Sequence, residues 1–164
     1  MQTNQIFIYP TDTIYGIGCN AENKELVEKI REIKQRDQKP FSIIAPSKNW
    51  ILKNFVCKIS LLDKYLPGPF TLILKKKNKN FLNEVSSLDT IGIRIPKHPF
   101  TKILQKTKKP IVTTSVNVSG QPFATKISEV DKTILDKVDT IFNYGTLFGK
   151  PSTLVIDGKE IKRD

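Results

Sequence analysis

A chain of 164 residues, 38% of them apolar, is long enough for one domain with a sizeable core. Its apolar runs are compact and well separated, which excludes a disordered segment. Twenty-seven Lys and Arg against 16 Asp and Glu leave a net charge of +11, and two cysteines and one histidine exclude a disulfide framework or a His-rich metal cluster.

Such a charge favours a polyanionic partner, because Lys and Arg displace counterions from phosphates. A lysine-rich soluble surface accounts for the same number equally well. No stretch approaches the roughly 18 apolar residues that a membrane span requires. The N-terminus has no apolar run suited to a signal peptide, so a cytoplasmic, reducing location is expected.

Ile6–Tyr9 reads as a first strand, broken by Pro10, and Ile14–Ile17 continues beyond the turn. Asn20 or Asn23 caps a helix reaching about Lys34, with Leu26, Val27, Ile30 and Ile33 at helical spacing on its buried face. Phe41–Ala45 is a short strand, and Pro46 and Ser47 lead into a second helix. Ile59–Leu66 is a third helix, stopped by Pro67, Gly68 and Pro69. Phe70–Leu74 is strand-like, and Lys75–Lys79 follows as a charged, exposed loop.

Thr90–Ile95 forms another strand, ended by Pro96, and His98-Pro99 opens a helix to about Thr107. Pro110–Thr114 is an apolar strand, Ile127–Lys137 a broken helix, and Thr140–Tyr144 and Ser152–Asp157 late strands. Strands and helices intermix irregularly, as in an α/β sheet with helices packed on it but not a regular doubly wound one. There is no repeat and no linker, so residues 1–164 read as one domain.

The segment Ile8–Cys19 sets hydroxyls, a carboxylate, Gly16 and Gly18 where backbone and polar groups can meet a ligand. Lys34 and Arg36 end the first helix. A helix C-terminus welcomes positive charge, and that explains one of them. It does not explain Lys39 just before a strand, and three cations converging there suit a triphosphate. Ser115, Asn117 and Ser119 alternate after an apolar strand. They either tie down their own turn or point donors at a ligand beyond the strand end. Ser152 and Thr153 repeat that chemistry. No Walker loop or dinucleotide fingerprint is present. His98 reads as a helix-start residue, and both cysteines as buried small side chains.

Taken together, these residues resemble the YrdC/YciO family, whose best-known members are threonylcarbamoyl-adenylate synthases. The resemblance rests on Tyr9–Gly18, Lys34–Arg36, Pro67–Thr71, Arg94–Pro96, His98-Pro99, Thr114–Gly120 and Pro151–Thr153, in the family's order across nearly the whole chain. It implies a twisted, largely parallel open α/β sheet with packed helices around a large basic cavity. It also implies formation of threonylcarbamoyl-AMP and pyrophosphate from L-threonine, bicarbonate and ATP. Separate transfer proteins then modify the adenosine at tRNA position 37. The alternative within the same family is a protein that binds double-stranded RNA or tRNA without synthase activity.

On that resemblance Lys34 and Arg36 form a catalytic phosphate clamp, and Ser115, Asn117 and Arg163 join them at the nucleotide. Thr11, Arg94, Ser119 and Ser152 are expected to contact the substrate, Arg94 through the carboxylate of threonine. Magnesium is expected to arrive with ATP, held by phosphates and water, with no dedicated metal ligands. The segment Lys34–Pro40 is expected to roof the cavity. Between Arg36 and Pro40 the chain departs from the family pattern, which alters the reach of Lys39.

Overall fold

A computed structural model describes residues 4–163. The first strand, β1 (Phe7–Tyr9), ends at Pro10, and β2 (Gly16–Gly18) returns antiparallel to it, so the chain doubles back here. Helix α1 (Lys24–Lys34) starts at Asn23, whose side chain accepts from the Leu26 N–H at 3.2 Å. It buries Val27, Ile30 and Ile33 and stops at Gln35, which is left-handed at φ 48°. That cap redirects the chain, so Arg36 leaves the helix axis.

Strand β3 (Ser42–Ile44) leads to α2 (Lys48–Asn54), capped by Ser47, then to the two-residue β4 (Phe55–Val56) and α3 (Ile59–Tyr65). Next come β5 (Phe70–Lys76), β6 (Thr90–Arg94), α4 (Pro99–Lys106) and β7 (Ile111–Ser115). His98 caps α4 by accepting from the Phe100 N–H at 3.1 Å, with proline at the first helical position, as its sequence context predicted. The broken helix resolves into a 3-10 turn (Ile127–Glu129) and α5 (Lys132–Leu135). Short strands β8 (Thr140–Ile141), β9 (Thr153–Ile156) and β10 (Lys159–Ile161) complete the chain.

The strands form one open sheet in the order β10-β9-β5-β6-β3-β7-β2-β1-β8, with β4 paired to one end of β5. The α/β class is as expected. Strand directions are mixed: β1–β8, β3–β6 and β5–β9 are parallel, while the remaining pairs are antiparallel. The larger core cluster includes Val27, Ile30, Ile43, Ile93 and Val112. A smaller one gathers Phe7, Tyr9, Ile44, Phe100, Leu104 and Ile111, with Tyr9 stacked on Phe100 at 6.0 Å.

Two expectations change at this level. The basic run 75–79 is not all loop: Lys75 and Lys76 belong to β5, and Lys76 is buried with its ammonium donating to the Ser86 carbonyl at 3.0 Å. Gly18 serves packing, because a Cβ there would sit 2.0 Å from the Val112 carbonyl oxygen. No helix among the described residues is long and apolar enough to cross a membrane.

Candidate active site

A cavity of about 570 Å³ opens where β2, β3, β5, β6 and β7 meet the loops that follow them. Its sheet floor carries hydroxyls from Ser42, Thr71 and Thr113, with Thr114 and Ser115 at the end of β7. Gly92 on β6 lets the neighbouring strands bring Ser42 and Thr71 together: a Cβ at that position would clash with the Ser42 hydroxyl and sit 2.9 Å from the Thr71 methyl. Three arginines line the cavity, Arg36, Arg94 and Arg163, and no aspartate or glutamate does so among the described residues.

Each arginine is placed by a different device. Arg94 is buried at the end of β6; its Nη2 donates to Asp12 Oδ1 at 2.9 Å and to the Thr13 hydroxyl at 3.2 Å. Arg163, beyond β10, donates through Nε to the Ser152 carbonyl at 2.7 Å and through Nη2 to the Ser152 hydroxyl at 2.5 Å. The same hydroxyl pairs with Thr71 at 2.7 Å, so a chain of polar groups crosses from β5 to the C-terminal segment. Arg36 is half-buried beside the Phe41 ring and donates to the Pro40 carbonyl at 3.1 Å. Its Nε and that of Arg94 have no hydrogen-bond partner. Burial pulls all three guanidinium groups below their ordinary range, and proximity to Arg94 adds to this for Arg163. An anion between them would relieve that repulsion.

Lys34 lies elsewhere. It is fully buried and does not line the cavity. Its ammonium donates to the carbonyls of Ser115 and Asn117, the latter at 2.6 Å, and to Asn117 Oδ1 at 3.1 Å. Three protons thus meet three oxygens, which favours the charged form. Burial works against it and lowers the amine to about 7. The expected clamp is therefore divided: Arg36 faces the cavity, and Lys34 braces the turn beneath it. That turn also holds itself together, with the Ser115 hydroxyl donating to Asn117 Oδ1 and Asn117 Nδ2 to the Gln121 carbonyl. The turn is thus self-bonded, and Ser115 and Asn117 also border the cavity.

The remaining expected residues sort as follows. Thr11 borders the cavity, but its hydroxyl donates to the Ile14 carbonyl at 2.7 Å and accepts from the Thr13 N–H. Ser152 borders the cavity; Ser119 does not, and its N–H caps the Lys34 carbonyl. Lys39 is exposed, while its carbonyl and that of Asp37 accept from Arg31 Nη1 at 2.8 and 3.0 Å. Arg31 thus pins the segment that was expected to roof the site, and Arg36 and Pro40 contribute its rim. The sequence reading passed over Ser42 and Gly92, and read the Asp12 carboxylate as a group facing a ligand, whereas it is the partner of Arg94. Their signal was position on a strand or beside one, visible only once the sheet order is known. No group of three or more His, Cys, Asp or Glu among the described residues could hold a metal.

The sequence matches the Sua5/YciO/YrdC family, described as "Telomere recombination", over residues 1–163. A protein of Methanocaldococcus jannaschii is 43% identical over 157 residues, covering 92% of this chain and 73% of that protein. The threonylcarbamoyl-AMP synthase of Vibrio campbellii is 31% identical, covering 89% of this chain and 83% of that protein. The crystal structure of Pyrococcus abyssi Sua5 complexed with L-threonine superposes with a TM-score of 0.84 at 29% identity. That comparison covers 94% of this chain and 48% of the archaeal one, so the chain spans about half of that protein's length.

Proposed function

We propose that this chain, which belongs to the Sua5/YciO/YrdC family, is a threonylcarbamoyl-AMP synthase. The observation that carries the reading is the cavity itself: three arginines and a floor of hydroxyls, with no lining carboxylate among the described residues to repel an anion. The relatives' names and the threonine complex of a structural neighbour support the same substrates.

The chemistry fits those groups. The threonine amine attacks the carbon of bicarbonate, water leaves, and a carbamate forms. A carbamate oxygen then attacks the α-phosphorus of ATP, and the bond to pyrophosphate breaks. Negative charge concentrates on phosphoryl oxygens, so catalysis requires orientation and fixed positive charge rather than a covalent nucleophile. Arg36 would hold phosphate at the rim, with Asn117 presenting its second Nδ2 proton from the β7 turn and the Ser115 hydroxyl fixing that amide. Arg163 would meet the nucleotide from the opposite wall. Arg94 would take the threonine carboxylate, the only fixed negative charge that amino acid carries. Magnesium bound with ATP would be held by the phosphates and water and would supply positive charge at the leaving pyrophosphate, since no carboxylate set that could hold it is found among the described residues.

The test is pyrophosphate release from ATP with L-threonine and bicarbonate supplied or withheld in turn. Release that requires both supports the reading; threonine-independent release, or none from folded protein, overturns it.

Ser152→Ala gives a finer check. It removes the hydroxyl that holds both Arg163 Nη2 and Thr71. The Michaelis constant for ATP is expected to rise about fivefold, with the melting point shifted by only a few degrees. Steady-state kinetics and thermal melting measure both, and an unchanged constant would show that the Ser152 hydroxyl does not position Arg163 for the nucleotide.

A further inference from the structure

We infer that Asp12 is the positioning residue for the amino-acid substrate, setting Arg94 in the orientation that receives its carboxylate. The inference rests on the synthase reading and adds to it a residue outside the cavity lining. Asp12 sits in the loop between β1 and β2, far from Arg94 in sequence. Both side chains are withdrawn from solvent, at 9% and 8% exposure. Both carboxylate oxygens of Asp12 are committed to different structural elements. Oδ1 accepts from Arg94 Nη2 at 2.9 Å, and Oδ2 accepts from the Lys97 backbone N–H at 2.7 Å.

This arrangement does more than neutralise a charge. Arg94 enters the cavity from the last position of β6, where Ile44 of β3 is still its neighbour in register but the pairing with β5 stops at Ile93, so backbone pairing alone does not orient its long side chain. One edge of its guanidinium is fastened to Asp12 and Thr13, so its remaining protons face in one direction. The Lys97 contact fixes Asp12 itself against the chain that continues from β6, so carboxylate and guanidinium form a closed brace. A guanidinium free to rotate would still be positive, yet it would lose orientation before each encounter with a carboxylate.

The amide of Asn has the shape of the carboxylate but only one acceptor oxygen. In Asp12→Asn its NH2 must therefore face either Arg94 or the Lys97 N–H, donor against donor. Asp12→Glu keeps two acceptors on a longer stem. Steady-state pyrophosphate release is to be measured for both variants against threonine and against ATP, with melting points and the 15N-resolved Arg94 Nη2–H signals, which carry the bonds to Asp12 and Thr13, recorded on the same samples. For Asp12→Asn the Michaelis constant for threonine is expected to rise about tenfold while that for ATP changes by less than about twofold. Asp12→Glu is expected to recover part of the loss. The Arg94 signal is expected to be slow to exchange in the native protein and fast in Asp12→Asn.

Equal changes in both constants, tracking a lowered melting point, would make Asp12 a scaffold residue and overturn the inference. Unchanged threonine kinetics would do the same. If the native protein forms no threonine-dependent product, the synthase reading fails by itself. The exchange of Arg94 then still decides whether Asp12 orients it, and unaltered exchange in Asp12→Asn would sink the brace.

Discussion

Arg36→Ala is expected to lower kcat/KM for ATP about 100-fold or more while leaving the protein folded. Arg36 stands past the αL cap of α1, half-buried at the cavity rim. Its contacts with the protein are modest: one hydrogen bond to the Pro40 carbonyl, an edge beside Phe41, and an Nε without a partner. Removing them costs the fold about 1 kcal/mol or less. Removing a fixed cation from a site where phosphoryl charge develops costs far more, because the other cations lining the cavity among the described residues, Arg94 and Arg163, are engaged with Asp12 and Ser152. Arg36→Lys is expected to recover only part of the loss, since an ammonium has no planar fork. Pyrophosphate release and thermal melting on one preparation measure both quantities. Native kinetics in Arg36→Ala would remove it from the catalytic machinery.

Lys34→Met is expected to damage the fold and turnover together, in contrast to Arg36→Ala. The Lys34 ammonium is buried, and its three protons serve the Ser115 and Asn117 carbonyls and Asn117 Oδ1. Methionine fills most of the same space and satisfies none of those oxygens. The loss is expected to be roughly 2–4 kcal/mol in urea unfolding. Turnover falls because the turn that presents Ser115 and Asn117 loses its brace. The pH dependence has a defined sign. The amine falls from its ordinary 10.5 to about 7 in the fold, so between those values the unfolded chain binds more protons. Burial cost is therefore present in full below about pH 7 and is relieved as pH rises towards 10.5. Native protein is expected to gain stability relative to Lys34→Met across that window. Paired urea titrations at pH 7 and pH 9 test this, and parallel curves of equal separation would contradict it.

Lys34 also shows where the sequence was legible and where it was misread. Helix α1 could be placed from Asn23 and from the spacing of Val27, Ile30 and Ile33, since burial and capping are local. That same spacing carries on to Lys34, one turn past Ile30 and two past Val27. Lys34 therefore shares the apolar face, whereas Arg36 lies beyond the cap. Periodicity thus separates two cations that the sequence reading had grouped as one clamp. The hydroxyl-bearing strand ends were legible as candidates because alternation survives in Ser115 and Asn117. Their partners were not. The Asp12–Arg94 pair joins residues 82 positions apart, and Thr71 meets Ser152 over 81. Such pairings depend on the sheet order, which places β5 between β9 and β6. Strands β4 and β10 escaped notice for a different reason. Each is two or three residues long, and β10 is exposed and charged, so neither has an apolar period to read.

The central claim is that the arginine-lined cavity joins threonine, bicarbonate and ATP into one adenylate. The most direct measurement supplies 13C-labelled bicarbonate with L-threonine, ATP and magnesium, and follows the products by mass spectrometry. The account predicts threonylcarbamoyl-AMP carrying the labelled carbon, in step with pyrophosphate, and its disappearance when threonine is withheld. Folded, nucleotide-binding protein that yields no labelled adenylate would contradict it.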